Sequence, residues 1–166
     1  MRVADILTLY DYNYWATDRI LHTATAITEE KFVAPTRFPH GSLRGTLVHM
    51  LWAERFWLDF WQEKPRRPVL TEEEFPDLAA LQERWKEDEA ELRTYLATLM
   101  DTDLDRRLTH SSPGRGFNYT APLWNFLIHP VNHGTLHRSE AAQMLTECGR
   151  SPGDFDLMGF LNERGG

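Results

Sequence analysis

The residues best equipped for chemistry in this chain are its histidines, and their spacing says what that chemistry could be. Of seven, four sit in helices that otherwise read as buried: His49, and the row His129, His133 and His137. Side chains four apart on a helix leave the same face with Cβ atoms about 5–6 Å apart, so two imidazoles of this row could converge on one metal ion. His129 and His137 are separated by about 12 Å along the axis and cannot share an ion, which leaves the pairs 129/133 and 133/137. Pro130 disturbs the turn around His129 and so favours His133 with His137. A third nitrogen has to come from another helix, and His49 could supply it, leaving further coordination positions for water or substrate. The same spacing also occurs in partly buried histidines that hold no metal, so spacing alone leaves both readings open.

An ion held by three neutral imidazoles keeps its positive charge uncompensated. It can lower the pKa of bound water toward about 7 or hold a thiol as thiolate. Glu54, five residues beyond His49, points about 140° away from it on a regular helix, so an ion pair with an arginine such as Arg138 is expected rather than ligation. The competing role for Glu54 is a general base beside the site. Cys148, next to Gly149 at a helix end and without a histidine close by in sequence, reads as a small apolar filler.

The elements that must position these residues are helices. Val3, Ile6, Leu7, Tyr10, Tyr14, Thr17 and Leu21 recur at steps of three and four and predict a helix over about 2–27. Thr28-Glu29-Glu30 starts one short turn. Ser42 can cap a second long helix running to about Gln62, apolar on more than one face and therefore central. Leu78, Leu81, Trp85, Leu92, Leu96 and Leu99 mark a third, peripheral helix. Residues 102–121 have the composition of a loop or a small hairpin. A fourth helix then runs from Pro122 to Gly149, with a kink expected near Phe126–Pro130, and the tail has room for a short turn around Asp156–Leu161. The expected fold class is all-α: an up-down four-helix bundle with a crossover connection and a short hairpin or loop before the last long helix. Trp15, Leu47, Leu51, Leu92, Leu127 and Leu145 are the expected core positions.

Composition narrows the classes. At 166 residues, 42% hydrophobic and 26% charged, the chain reads as one soluble domain, 1–166, without a disordered arm. A formal charge of −7 with only isolated basic pairs argues against nucleic acid as a partner. No stretch approaches the roughly 20 apolar residues that cross a bilayer, so no membrane partner is expected. The single cysteine, Cys148, cannot form an internal disulfide, and a cytoplasmic location is the expectation. Four of the six tryptophans fall within the first 61 residues, more aromatic surface than one face of a monomer buries, which suggests a homodimer.

Three stretches carry a family resemblance: YDYNYWATDRIL near the start, PHGSLRGTLVHMLWAERFWL around His49, and HPVNHGTLHRSEAAQML in the last long helix. Together with DFDLMGFL near the end, they resemble, in order, the DinB-like (DNA-damage-inducible, YfiT-related) metal-binding four-helix bundles. The third stretch is the most specific, because the family's paired ligands occur as N-H-x-x-x-H-R, here Asn132 to Arg138, while His49 stands where the first ligand histidine occurs. The resemblance implies a divalent metal, commonly nickel or zinc, on His49, His133 and His137, and frequent homodimers. It also implies a stress-response setting and thiol-dependent transfer or detoxification on a small-molecule substrate, with a low-molecular-weight thiol as partner. A metal-dependent hydrolase fits the same ligands, and a non-catalytic metal- or small-ligand-binding bundle is the alternative class. Leu136 replaces a histidine found in many members, and Ser139-Glu140 replaces Gly-Gln. These departures leave the ligand positions in place and change what surrounds them.

Overall fold

The computed structural model describes residues 1–112, 114 and 116–165. Along the chain these form α1 (Val3–Ala24), α2 (Glu29–Val33), α3 (Leu43–Trp61), α4 (Leu78–Ala97), β1 (Arg107–Ser112), β2 (Phe117–Pro122), α5 (Leu123–Glu147) and α6 (Leu157–Gly165). Short 3-10 helices lie at Glu72–Glu74 and Asp101–Asp105. The chain is thus mostly helical, and the short hairpin or loop expected before the last long helix is a small antiparallel hairpin. That hairpin occupies the segment whose glycines, serines and proline left it outside the helical pattern.

Helix starts follow from short polar side chains that take over free backbone N–H groups. Ser42 Oγ accepts from the Gly45 N–H at 2.8 Å and opens α3, and Asp77 Oδ1 accepts from the Ala80 N–H at 2.8 Å and opens α4. Thr28 caps α2 through the Lys31 N–H at 3.4 Å. At the start of α5 the job falls to the chain itself: the Leu123 N–H donates to the Arg106 carbonyl at 2.8 Å, which ties the helix to the base of the hairpin. Gly149, at φ +77°, follows the last turn of α5.

Among the four long helices, α5 packs against α1 and α3, and α4 packs against α3 and α1, so the core lies between all four. Ile6, Tyr10, Ile20, Leu47, Leu51, Leu58, Trp61, Leu92, Leu127 and Leu145 fill it. The Tyr10 ring meets Trp61 edge-on at 6.3 Å, and its hydroxyl donates to the Leu127 carbonyl at 2.9 Å. That carbonyl belongs to the turn which Pro130 leaves one backbone donor short. Helix α5 runs through Pro130 without interruption. On the outer side, Arg55 of α3 faces Asp88 of α4 at 3.4 Å, both side chains buried.

Five of the six expected core residues are buried; Trp15 is the exception. Its ring lies against Phe160 at 5.5 Å and its Nε1–H donates to Glu163 at 3.0 Å, both on α6. The tail is longer than the turn expected for it. Phe160 inserts beside Tyr12 and Trp15, and Arg19–Glu163 and Arg164–Asp11 ion pairs at 2.7 Å fasten α6 across α1. No helix among the described residues is long and apolar enough to cross a membrane.

Candidate metal centre

Periodicity put His133 and His137 on one face of α5, and the packing of α3 against α5 brings His49 to the same place. His133 Nε2 lies 3.2 Å from His49 Nε2 and 3.1 Å from His137 Nε2. Three nitrogens bound to one tetrahedral ion at about 2.0–2.1 Å are about 3.3 Å from one another, so the spacing suits a shared ion. His133 Nε2 carries at most one proton and cannot donate to both neighbours.

Glu140 reinforces this arrangement. Its Oε2 lies 2.7 Å from His137 Nδ1, three residues back on the same helix. A carboxylate can only accept, so His137 donates from Nδ1, which in the metal-binding neutral ring puts the lone pair on Nε2, facing His133. Burial first, then the neighbouring imidazoles His40, His133 and His137, push His49 down to about 3. Burial, with His137, His129 and His40, pushes His133 down to about 4. Both rings are therefore neutral near pH 7, the form that binds a metal.

A fourth imidazole was not expected from the sequence. His40, in the turn before α3, stacks on His49 with ring centroids 3.7 Å apart and meets His137 edge-on at 5.0 Å. Ligand nitrogens of His40, His49 and His137 all lie within 4.8 Å of one another, so these three are also placed to hold a metal ion. The reason is local. A Cβ at position 45 would stand 2.1 Å from the His40 carbonyl oxygen and 2.7 Å from Glu72 Oε1, so only glycine lets the turn lie against the start of α3. The signal in the sequence is the combination of His40, the Ser42 cap and Gly45, which is legible only once the turn is known to fold back. A hollow of about 300 Å³ lined by His40, Gly45, His49, Trp52 and Leu70 opens beside this group.

Glu54 faces the other way, as the angle around α3 required. It is buried and accepts from Asn13 Nδ2 at 2.7 Å and from the Tyr14 hydroxyl at 3.3 Å. The expected direct pair with Arg138 is corrected. The fully buried Arg138 guanidinium donates to Asn13 Oδ1, to Thr17 Oγ1 at 3.4 Å and to Thr135 Oγ1 at 3.0 Å, so Asn13 stands between the charges as a bridge. Gly134 makes room: a Cβ there would be 2.7 Å from Arg138 Nη1. Burial pushes Glu54 up to about 7, opposed by its Asn13 bond and the Arg138 charge. His129 lies one turn from His133, with ring centroids 5.9 Å apart, and sits against Trp57 instead. Cys148 is a half-buried free thiol at the end of α5.

Known proteins share this framework. Over 162 residues the chain is 25% identical to Protein DinB of Bacillus subtilis (strain 168), covering 93% of this chain and 94% of the relative. The crystal structure of a DinB-like protein from Bacillus cereus ATCC 10987 superposes with a TM-score of 0.66 at 16% identity, over 92% of this chain and 97% of that one, a likeness of fold. The DinB family model matches residues 1–165, and the chain belongs to the DinB family.

Proposed function

We propose that His49, His133 and His137 hold one divalent ion, nickel or zinc, within a four-helix bundle, and that the protein is an enzyme of the thiol-dependent transfer type. The observation that carries this reading is the approach of His49 Nε2 and His137 Nε2 to His133 Nε2 at 3.2 and 3.1 Å, the spacing of three nitrogens around one ion. When bound, the ion supplies Lewis acidity, and a soft sulfur donor suits either metal. The chain's own contribution is to keep the His49 and His133 imidazoles neutral, to aim His137 through Glu140, and to leave a hollow of about 300 Å³ beside His49. Hydrolysis at the same ion is the neighbouring reaction class.

His40 supports a second reading. If its ring turns a nitrogen onto the ion, four imidazoles close the centre, and the bundle stores or senses metal without turnover. Two measurements separate these readings. Protein purified without a histidine tag should carry one metal per chain, and alanine at any of His49, His133 or His137 should lower the bound metal by more than half; unchanged stoichiometry in all three rejects the site. Cobalt-loaded protein should then change its visible absorption on addition of a low-molecular-weight thiol. A constant spectrum that becomes thiol-responsive in His40→Ala identifies the closed centre.

A further inference from the structure

Beyond the histidine cluster, α3, the hairpin and α5 enclose a second hollow of about 450 Å³ that the metal reading leaves without a role. Phe126, buried, forms its floor; Trp57 and His110 are half-buried walls; Tyr119, His129 and Asn132 stand at its exposed rim. Trp57 anchors the group, with ring centroids 5.1 Å from His110, 4.8 Å from His129 and 6.0 Å from Phe126. Tyr119 meets Phe126 at 5.7 Å, and its hydroxyl accepts from the Asn125 amide at 3.1 Å, so the rim is held as well as the floor.

Three features define what fits. The volume lies within the roughly 300–1,000 Å³ of small-molecule sites. The walls come from three separate elements, and their ring faces and edges suit a planar aromatic guest by offset or edge-on contact. Among the described residues no carboxylate, ammonium or guanidinium lines the space, so a charged guest would lose hydration without a paired charge in the lining. Asn132 and His129 supply hydrogen-bonding groups on the side nearest His133, one helical turn away.

We infer that this hollow is a binding site for a neutral, planar aromatic molecule bearing a hydroxyl or similar polar group, with that group directed toward the histidine cluster. The placement of the polar end rests on the proposed metal centre; the binding itself does not. Both can fail separately, because binding is measured on metal-free protein. By calorimetry or equilibrium dialysis, 2-naphthol should bind metal-free protein at one site per chain. Its anionic analogue, 2-naphthalenesulfonate, should bind at least about tenfold more weakly. Trp57→Ala should weaken 2-naphthol about tenfold, and Tyr119→Ala, a change on the exposed hairpin that leaves the core untouched, about threefold. Absence of saturable binding, or equal affinity in both variants and the parent, overturns the inference. So does sedimentation in which Trp57→Ala converts a dimer to monomers, because the face then belongs to a second copy of the chain.

Discussion

Helices α3 and α5 carry two polar clusters that differ in one respect. In the first, Glu54, Asn13, Tyr14, Thr17 and Arg138 form a buried network that alternates donors and acceptors, and each contact answers the next. In the second, His49 and His137 each bring Nε2 to within 3.2 Å of His133 Nε2, which holds at most one proton. Burying polar groups costs several kcal/mol unless they are partnered; the first cluster joins unlike groups and leaves Arg138 Nε as its unpartnered nitrogen, whereas the second sets three like groups against one another, as a shared ion would require. Arg138 and His137 are adjacent in sequence and belong to opposite cases. The difference separates a brace from a site more firmly than burial or charge does.

Breaking the brace should give the largest effect. Arg138→Ala would leave Asn13 and Glu54 facing a cavity with no cation, and should cost about 3–5 kcal/mol of unfolding free energy in urea. The folded fraction should keep far more of its metal than His137→Ala does. A loss below about 1 kcal/mol, the range of a surface pair, would mean that the network is not holding α1 to α5.

The brace also sets a pH dependence. With the folded Glu54 carboxyl at about 7 and its ordinary value at 4.5, the folded state binds the extra proton between those values. Its contribution to stability is complete below about pH 4.5 and is lost as pH rises through about 7, a change of roughly 3 kcal/mol at about 1.4 kcal/mol per unit. Glu54→Gln should remove it, so the difference in unfolding free energy between parent and variant should fall steadily over that interval. Taking the difference cancels the histidines, whose depressed values act in the opposite direction. A flat difference curve would show that Glu54 stays ionised under the Arg138 charge.

The contrast between the clusters also explains what could be read from sequence. The row on α5 and the Ser42 cap are local patterns, and both emerged with their boundaries nearly intact. Bringing His49 to His133 needed only that two apolar helices pack together. Asn13 carries no local signal in α1, because nothing nearby in sequence says that Glu54 and Arg138 arrive from two other helices. Trp15 read as core because its cover is α6, whose own pattern suggested only a turn. His40 lies in a turn outside any periodicity, and the packing of that turn depends on the missing side chain at Gly45.

The smallest expected effect tests whether the histidine site is tuned as well as assembled. Glu140 is only partly buried and its side-chain partner among the described residues is His137 Nδ1, so removing it should hardly change the metal-free fold. What it controls is which nitrogen of His137 carries the proton. Losing a carboxylate that orients a ligand histidine typically weakens metal binding about 10–100-fold, equivalent to about 1.4–2.7 kcal/mol. Glu140→Ala should therefore lower zinc or nickel affinity by that factor and reduce the rise in melting temperature that metal produces. Glu140→Gln, which can still accept from Nδ1 through its amide oxygen but lacks the charge, should fall between the parent and Glu140→Ala. A structural residue would shift metal-free and metal-loaded melting equally in both variants. If metal affinity is unchanged in Glu140→Ala, the 2.7 Å contact does not govern the tautomer, and the three nitrogens are held by helix packing alone.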